Sequence, residues 1–78
     1  MSKGHGGKIK NWEKAGTRSD FWEYQGGKNV MMKIGEKKRQ GYPIIVFGGD
    51  TRTKKMYRGT KEKARKEAAD WRRNHTNL

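Results

Sequence analysis

The sequence predicts an α+β domain: an antiparallel sheet of three or four strands packed against one C-terminal α-helix. Aromatic and β-branched residues recur in short runs between positions 21 and 58, turn compositions rich in Gly separate those runs, and from Thr60 the apolar period becomes that of a helix. With 78 residues there is room for one domain and one modest core.

Residues 1–10 are Gly-rich and basic with nothing to bury, and read as a flexible tail ahead of a single domain over 11–78. Trp12 is a large apolar anchor in a polar stretch reaching Arg18, expected to pack irregularly. Phe21-Trp22-Glu23-Tyr24-Gln25 reads as a short strand closed by Gly26-Gly27-Lys28-Asn29. Val30 to Ile34 alternates, with Val30, Met32 and Ile34 on one face and Met31 and Lys33 on the other. Lys37-Lys38-Arg39 falls in the following loop. Tyr42 to Phe47 is apolar on both faces and reads as an interior strand covered on both sides, with Pro43 near its start because it has no N–H to give the ladder. Gly48 to Thr53 is a loop, and Lys54 to Arg58 is the last strand.

Thr60 is a candidate N-cap with Glu62 in the first turn of a helix reaching Asn74. Ala64, Ala68, Trp71 and His75 fall on one stripe, while Lys61, Arg65, Arg72 and Arg73 lie away from it. Thr76-Asn77-Leu78 reads as a frayed end. In a chain with 29% hydrophobic residues and a mean hydropathy of -1.34, Trp12, Trp22 and Trp71 are expected in the core. Tyr42 and Tyr57, beside charged or turn residues, are expected on the surface.

The charge is uneven. Of the formal net +12, residues 1–26 carry +2 (five basic, three acidic), residues 27–58 carry +7 (nine basic, two acidic) and residues 59–78 carry +3 (six basic, three acidic). Like charges repel in a compact state, and a polyanion relieves that repulsion, so nucleic acid is the first partner expected. With no cysteine, a disulfide framework and the common zinc-finger ligand sets are excluded. No apolar run is long enough to span a bilayer or to form a signal peptide, so a cytoplasmic protein is expected, nucleoid-associated if DNA is the target, with no membrane partner.

Catalysis has little to work with. His5 and His75 lie at opposite ends, and His75 sits where a helix dipole favours a cation. The carboxylates are scattered, and the Gly-Lys pairs lack the spacing and the Ser/Thr of a phosphate loop. No enzyme activity, catalytic residue, metal, cofactor or small-molecule substrate is therefore expected.

Basic residues interleaved with aromatics give the strongest signal. An antiparallel ribbon can enter a major groove, with Lys33, Lys54, Tyr57 and Arg58 facing the bases, Lys37, Lys38, Arg39 and Arg52 holding phosphates, and Lys55 along the same strand. The function expected is nucleic-acid binding, double-stranded DNA before RNA, in an architectural or regulatory role. The alternatives are a protein-interaction module for an acidic partner and an RNA- or ribosome-associated protein.

Gly41-Tyr42-Pro43-Ile44-Ile45-Val46 as a middle strand, Lys54-Lys55-Met56-Tyr57-Arg58-Gly59 as the next, and Thr60-Lys61-Glu62-Lys63-Ala64 opening a helix resemble the AP2-type and integrase amino-terminal DNA-binding domains. The same outline is similar to small archaeal ββα proteins. The resemblance covers about Asn29 to Arg73 and implies duplex DNA bound on the exposed sheet face. Two departures stand out: Arg58 where such domains often have an apolar residue, and a strand at Phe21-Trp22-Glu23-Tyr24 that could cover the binding face.

Overall fold

A computed structural model of the chain describes residues 9–17, 20–49 and 52–78. Five strands and one helix follow in order: β1 (Trp12–Lys14), β2 (Phe21–Tyr24), β3 (Val30–Ile34), β4 (Tyr42–Gly48), β5 (Lys54–Arg58) and α1 (Lys61–Arg73). They form an antiparallel sheet in the order β1-β2-β3-β4-β5, with α1 across one face. The α+β class stands, and the strand count is five rather than three or four.

The extra strand is β1, which the sequence hides because only one of its three residues is apolar. Tertiary contacts make it. Trp12 pairs with Tyr24 and is 3% exposed, with ring edges against Tyr24 and Trp71 at centroid distances of 5.3 and 6.1 Å. Its indole N–H donates to the His75 carbonyl at 2.9 Å, which satisfies the one polar atom the ring would otherwise bury. Ile9, read with the tail, also belongs to the core; residues 1–8 of that tail lie outside the described residues.

One face of the sheet carries Trp12, Trp22, Tyr24, Val30, Met32, Ile34, Ile44 and Val46 into a core closed by Ala64, Ala68 and Ala69 of the helix. Alanines let α1 approach the sheet closely over β3, β4 and β5. Thr60 caps the helix, its hydroxyl accepting from the Lys63 N–H at 3.1 Å. In the turn before β4, Gly41 adopts φ 121, and a Cβ there would run into the Arg58 carbonyl of β5.

Two expectations fail at the C-terminal end. Thr76 to Leu78 is held: Asn11 Nδ2 donates to the Thr76 carbonyl at 2.7 Å, the Leu78 N–H donates to the Tyr24 hydroxyl at 3.0 Å, and Leu78 packs on the core. Arg72 is 2% exposed rather than solvated. Its guanidinium lies 3.8 Å from the Trp22 ring centroid and Nη1 is 3.7 Å from the Met32 sulfur, while Nε is buried without a partner. A cation on an indole face recovers part of its desolvation, and the long side chain fills the space over β2 that an alanine would leave empty.

Candidate functional site

Among the described residues, no helix lies on the other face of the sheet. Directly paired residues share a face, so the register defines the surface. Glu13, Glu23, Met31 and Phe47 form one row, Phe21, Lys33, Ile45 and Lys55 a second, and Pro43 and Tyr57 a third. Met31, Ile45, Phe47 and Tyr57 are half-buried, and Lys33 and Lys55 are exposed. β4 is therefore covered on one side only, against the expectation of two. Its apolar residues at 45 and 47 belong to an open surface that reading the strand as doubly buried had concealed. β2, the strand that could have covered this face, joins the sheet between β1 and β3 and widens the surface instead.

Ile45 sits between two lysines, one on each neighbouring strand. Two strand spacings separate the Lys33 and Lys55 backbones by about 10 Å. The Lys33 ammonium is 5.8 Å from the Phe47 ring centroid, and the Phe21 ring meets Phe47 edge-on at 6.2 Å and 85°. The surface is thus an apolar, aromatic strip along β4 with an ammonium group on either side.

The nine residues singled out from the sequence fall into four places. Lys33, Lys55 and Tyr57 share the open face. Lys37, Lys38 and Arg39 are exposed in the β3–β4 loop at one end of the sheet, and Arg52 is exposed in the β4–β5 loop at the other. Lys54 and Arg58 are brought to neither. Paired with Val46 and Tyr42, they lie on the helix side of β5, which corrects their placement facing a groove. Arg58 is bound to the helix by Glu67 at 3.1 Å.

Ion pairing separates the two sides further. Asp20 takes Lys61 at 3.1 Å and Arg65 at 2.9 Å, and Asp70 takes Arg73 at 2.7 Å; with Arg58–Glu67, every ion pair among the described residues involves the helix. Burial pushes the Asp20 carboxyl up, but hydrogen bonds from Arg65 and Lys61 outweigh it and hold the group below its ordinary range. Bonding to Asp20 raises Arg65. Burial, with the like charge of Arg73, lowers Arg72 to about 10, so it remains cationic at neutral pH.

At the end of the sheet nearest the start of the helix, Lys33, Lys37, Lys61 and Tyr42 line an open groove of about 530 Å³ that Glu36 shares. It continues the lysine surface from the open face toward the β3–β4 loop. No group of three or more His, Cys, Asp or Glu able to hold a metal occurs among the described residues, and no helix there is long and apolar enough to cross a membrane. Compared with family models, curated proteins and solved structures, the chain matches none.

Proposed function

We propose that this is a nucleic-acid-binding protein, architectural or regulatory rather than enzymatic, that meets its ligand with the open face of the sheet and the loops at its two ends. The observation that carries the reading is an apolar, aromatic strip flanked by cations that no carboxylate holds. Lys33 and Lys55 on the face, and Lys37, Lys38, Arg39 and Arg52 in the loops at its ends, have no ion-pair partner among the described residues; Lys54 on the helix side and Lys63 and Lys66 of α1 have none either, so it is the strip beside the cations, not the lack of pairing alone, that singles out this face. Unpaired ammonium groups beside a half-exposed aromatic strip match the mixed chemistry of a nucleic acid, whose phosphates need cations and whose bases need flat apolar surface. A partner presenting only carboxylates would use the lysines and leave Phe47 and Ile45 idle.

Salt dependence is the test. If five phosphates are neutralised, log K falls against log salt with a slope of about -4.5 on duplex DNA and about -3.5 on a single strand. Titrating the protein with duplex DNA, single strands and structured RNA at several salt concentrations measures it. Binding that ignores salt, or no binding to any of the three, defeats the proposal.

A further inference from the structure

We infer that the open face takes an unpaired strand of nucleic acid in preference to a duplex, with bases stacked on Phe47 and Tyr57 and phosphates held by Lys33 and Lys55. This rests on the nucleic-acid reading above and narrows it.

Width is the first argument. A major groove about 12 Å wide admits a two-stranded ribbon, and three strands spaced by about 4.8 Å span roughly 10 Å. With β1 and β2 added in the same sheet, five strands span about 19 Å, too broad to enter as a flat face.

The kind of cation present also favours an unpaired strand. Base edges are read best by the forked guanidinium of Arg and by the amides of Asn and Gln. The described open face has none of these; its side-chain donors are Lys33, Lys55 and Tyr57. Among the described arginines, Arg58, Arg65 and Arg73 are spent on carboxylates, Arg72 is buried on Trp22, and only Arg39 and Arg52 remain, at opposite ends. The face is poorly equipped to read base edges and well equipped to stack.

The layout of the face follows a single strand. Tyr57 lies opposite Pro43, four residues along β4 from Phe47, a distance of about 13 Å. Ile45 lies between them with a lysine on each side, so a strand running along β4 meets aromatic surface at both ends and ammonium groups in the middle. The edge of Phe21 braces Phe47. On the far side of the face, Glu13 and Glu23 stand directly opposite each other with no ion-pair partner among the described residues. Two like charges in register cost stability, and here they repel phosphates, which keeps the path on β3, β4 and β5.

The experiment is fluorescence anisotropy of the full chain with labelled 12-nucleotide oligothymidylate, 12-nucleotide oligouridylate and a 12-base-pair duplex at one salt concentration. Either single strand is expected to bind about tenfold more tightly than the duplex. Phe47→Leu keeps an apolar side chain but removes the ring, and is expected to lower single-strand affinity about fivefold to tenfold while changing duplex affinity less than twofold; an unchanged melting temperature confirms that the variant is folded. A duplex that binds as tightly as both single strands, or a Phe47→Leu variant that holds single strands as well as the parent, overturns the inference and leaves the nucleic-acid reading standing. Failure of all three probes to bind overturns both.

Discussion

Ile44 and Ile45 are neighbours in the chain and belong to different environments. Ile44 is 0% exposed beneath the helix, whereas Ile45 is half-exposed between Lys33 and Lys55. The two faces they represent divide the labour of a chain carrying +12. One face gathers the tryptophans, the alanines and the buried Arg72 into a core; the other keeps the apolar strip with Lys33 and Lys55. Every ion pair among the described residues fastens the helix, whereas the lysines beside the apolar strip have no such partner. The sharpest way to break this contrast is to truncate each isoleucine in turn. Ile44→Ala is expected to cost about 3–4 kcal/mol of unfolding free energy, from lost transfer and a residual cavity, and Ile45→Ala about 1 kcal/mol or less. Urea denaturation measures both, and equal losses would mean that the open face is buried in solution.

The next effect tests the ion pairs that fasten the helix. Asp20, just ahead of β2, holds both Lys61 and Arg65 of α1. Its partners are partly exposed, so Asp20→Asn is expected to cost about 1–2 kcal/mol rather than the full value of two charged hydrogen bonds. The sign with pH follows from its lowered pKa. The folded state favours the carboxylate, so the stabilisation is complete well above the ordinary Asp value of 3.8 and is lost as pH falls through the lower folded value. Melting curves of parent and variant should therefore converge once the pH lies below that lowered value; a constant gap at every pH would show that Asp20 acts through packing rather than charge.

Much of this architecture was legible. The alternation at 30–34 separated Met31 and Lys33 from Val30, Met32 and Ile34 correctly, because the side-chain period of a strand is two and one face here is buried. Thr60 and the alanines at 64 and 68 mark the helix and half of its buried stripe, which continues through Ala69 and Arg72 rather than through Trp71 and His75. What escaped was set by contacts distant in sequence. β1 exists because Trp12 reaches Tyr24, Trp71 and the His75 carbonyl, and no periodicity announces a three-residue strand. The candidate site is half legible. Strand alternation suffices to bring Lys33, Lys55 and Tyr57 to one face, but a strand apolar on both sides reads as doubly covered, which hides Ile45 and Phe47. The signal was present in the register: once Val46 is placed opposite Met32, residue 45 must lie beside Lys33.

Arg72 is where charge and core collide, and it tests the division from inside. Helical periodicity put it on a solvated face, yet it sits against Trp22 and Met32 with Nε unsatisfied. A buried cation without a carboxylate is costly, and its contribution is the packing of its stem and the face of the indole. Arg72→Met retains the length and the contact and discards the charge, and is expected to raise stability by about 1 kcal/mol. Arg72→Ala removes the packing as well and is expected to lower it by about 2 kcal/mol. Chemical denaturation of the pair separates the two contributions; a loss with Met as large as with Ala would show that the guanidinium itself holds the core.

The smallest effects sharpen the comparison most, because Lys55 and Arg58 share a strand and a charge but not a face. Lys55 is exposed beside Ile45, whereas Arg58 lies on the helix side, bonded to Glu67. If unpaired cations on the open face carry binding, Lys55→Gln should weaken an oligonucleotide complex about threefold and make the salt slope shallower by about 0.7 on a single strand or 0.9 on a duplex, the contribution of one released counterion. Arg58→Gln should leave affinity and slope unchanged within twofold, and cost about 0.5 kcal/mol of stability at most, since it breaks one half-exposed ion pair. Both variants lose one positive charge, so a ligand responding to net charge alone would weaken equally for both. Unequal responses in the expected order would locate binding on the face rather than on the molecule as a whole, and the reverse order would move it to the helix side of β5.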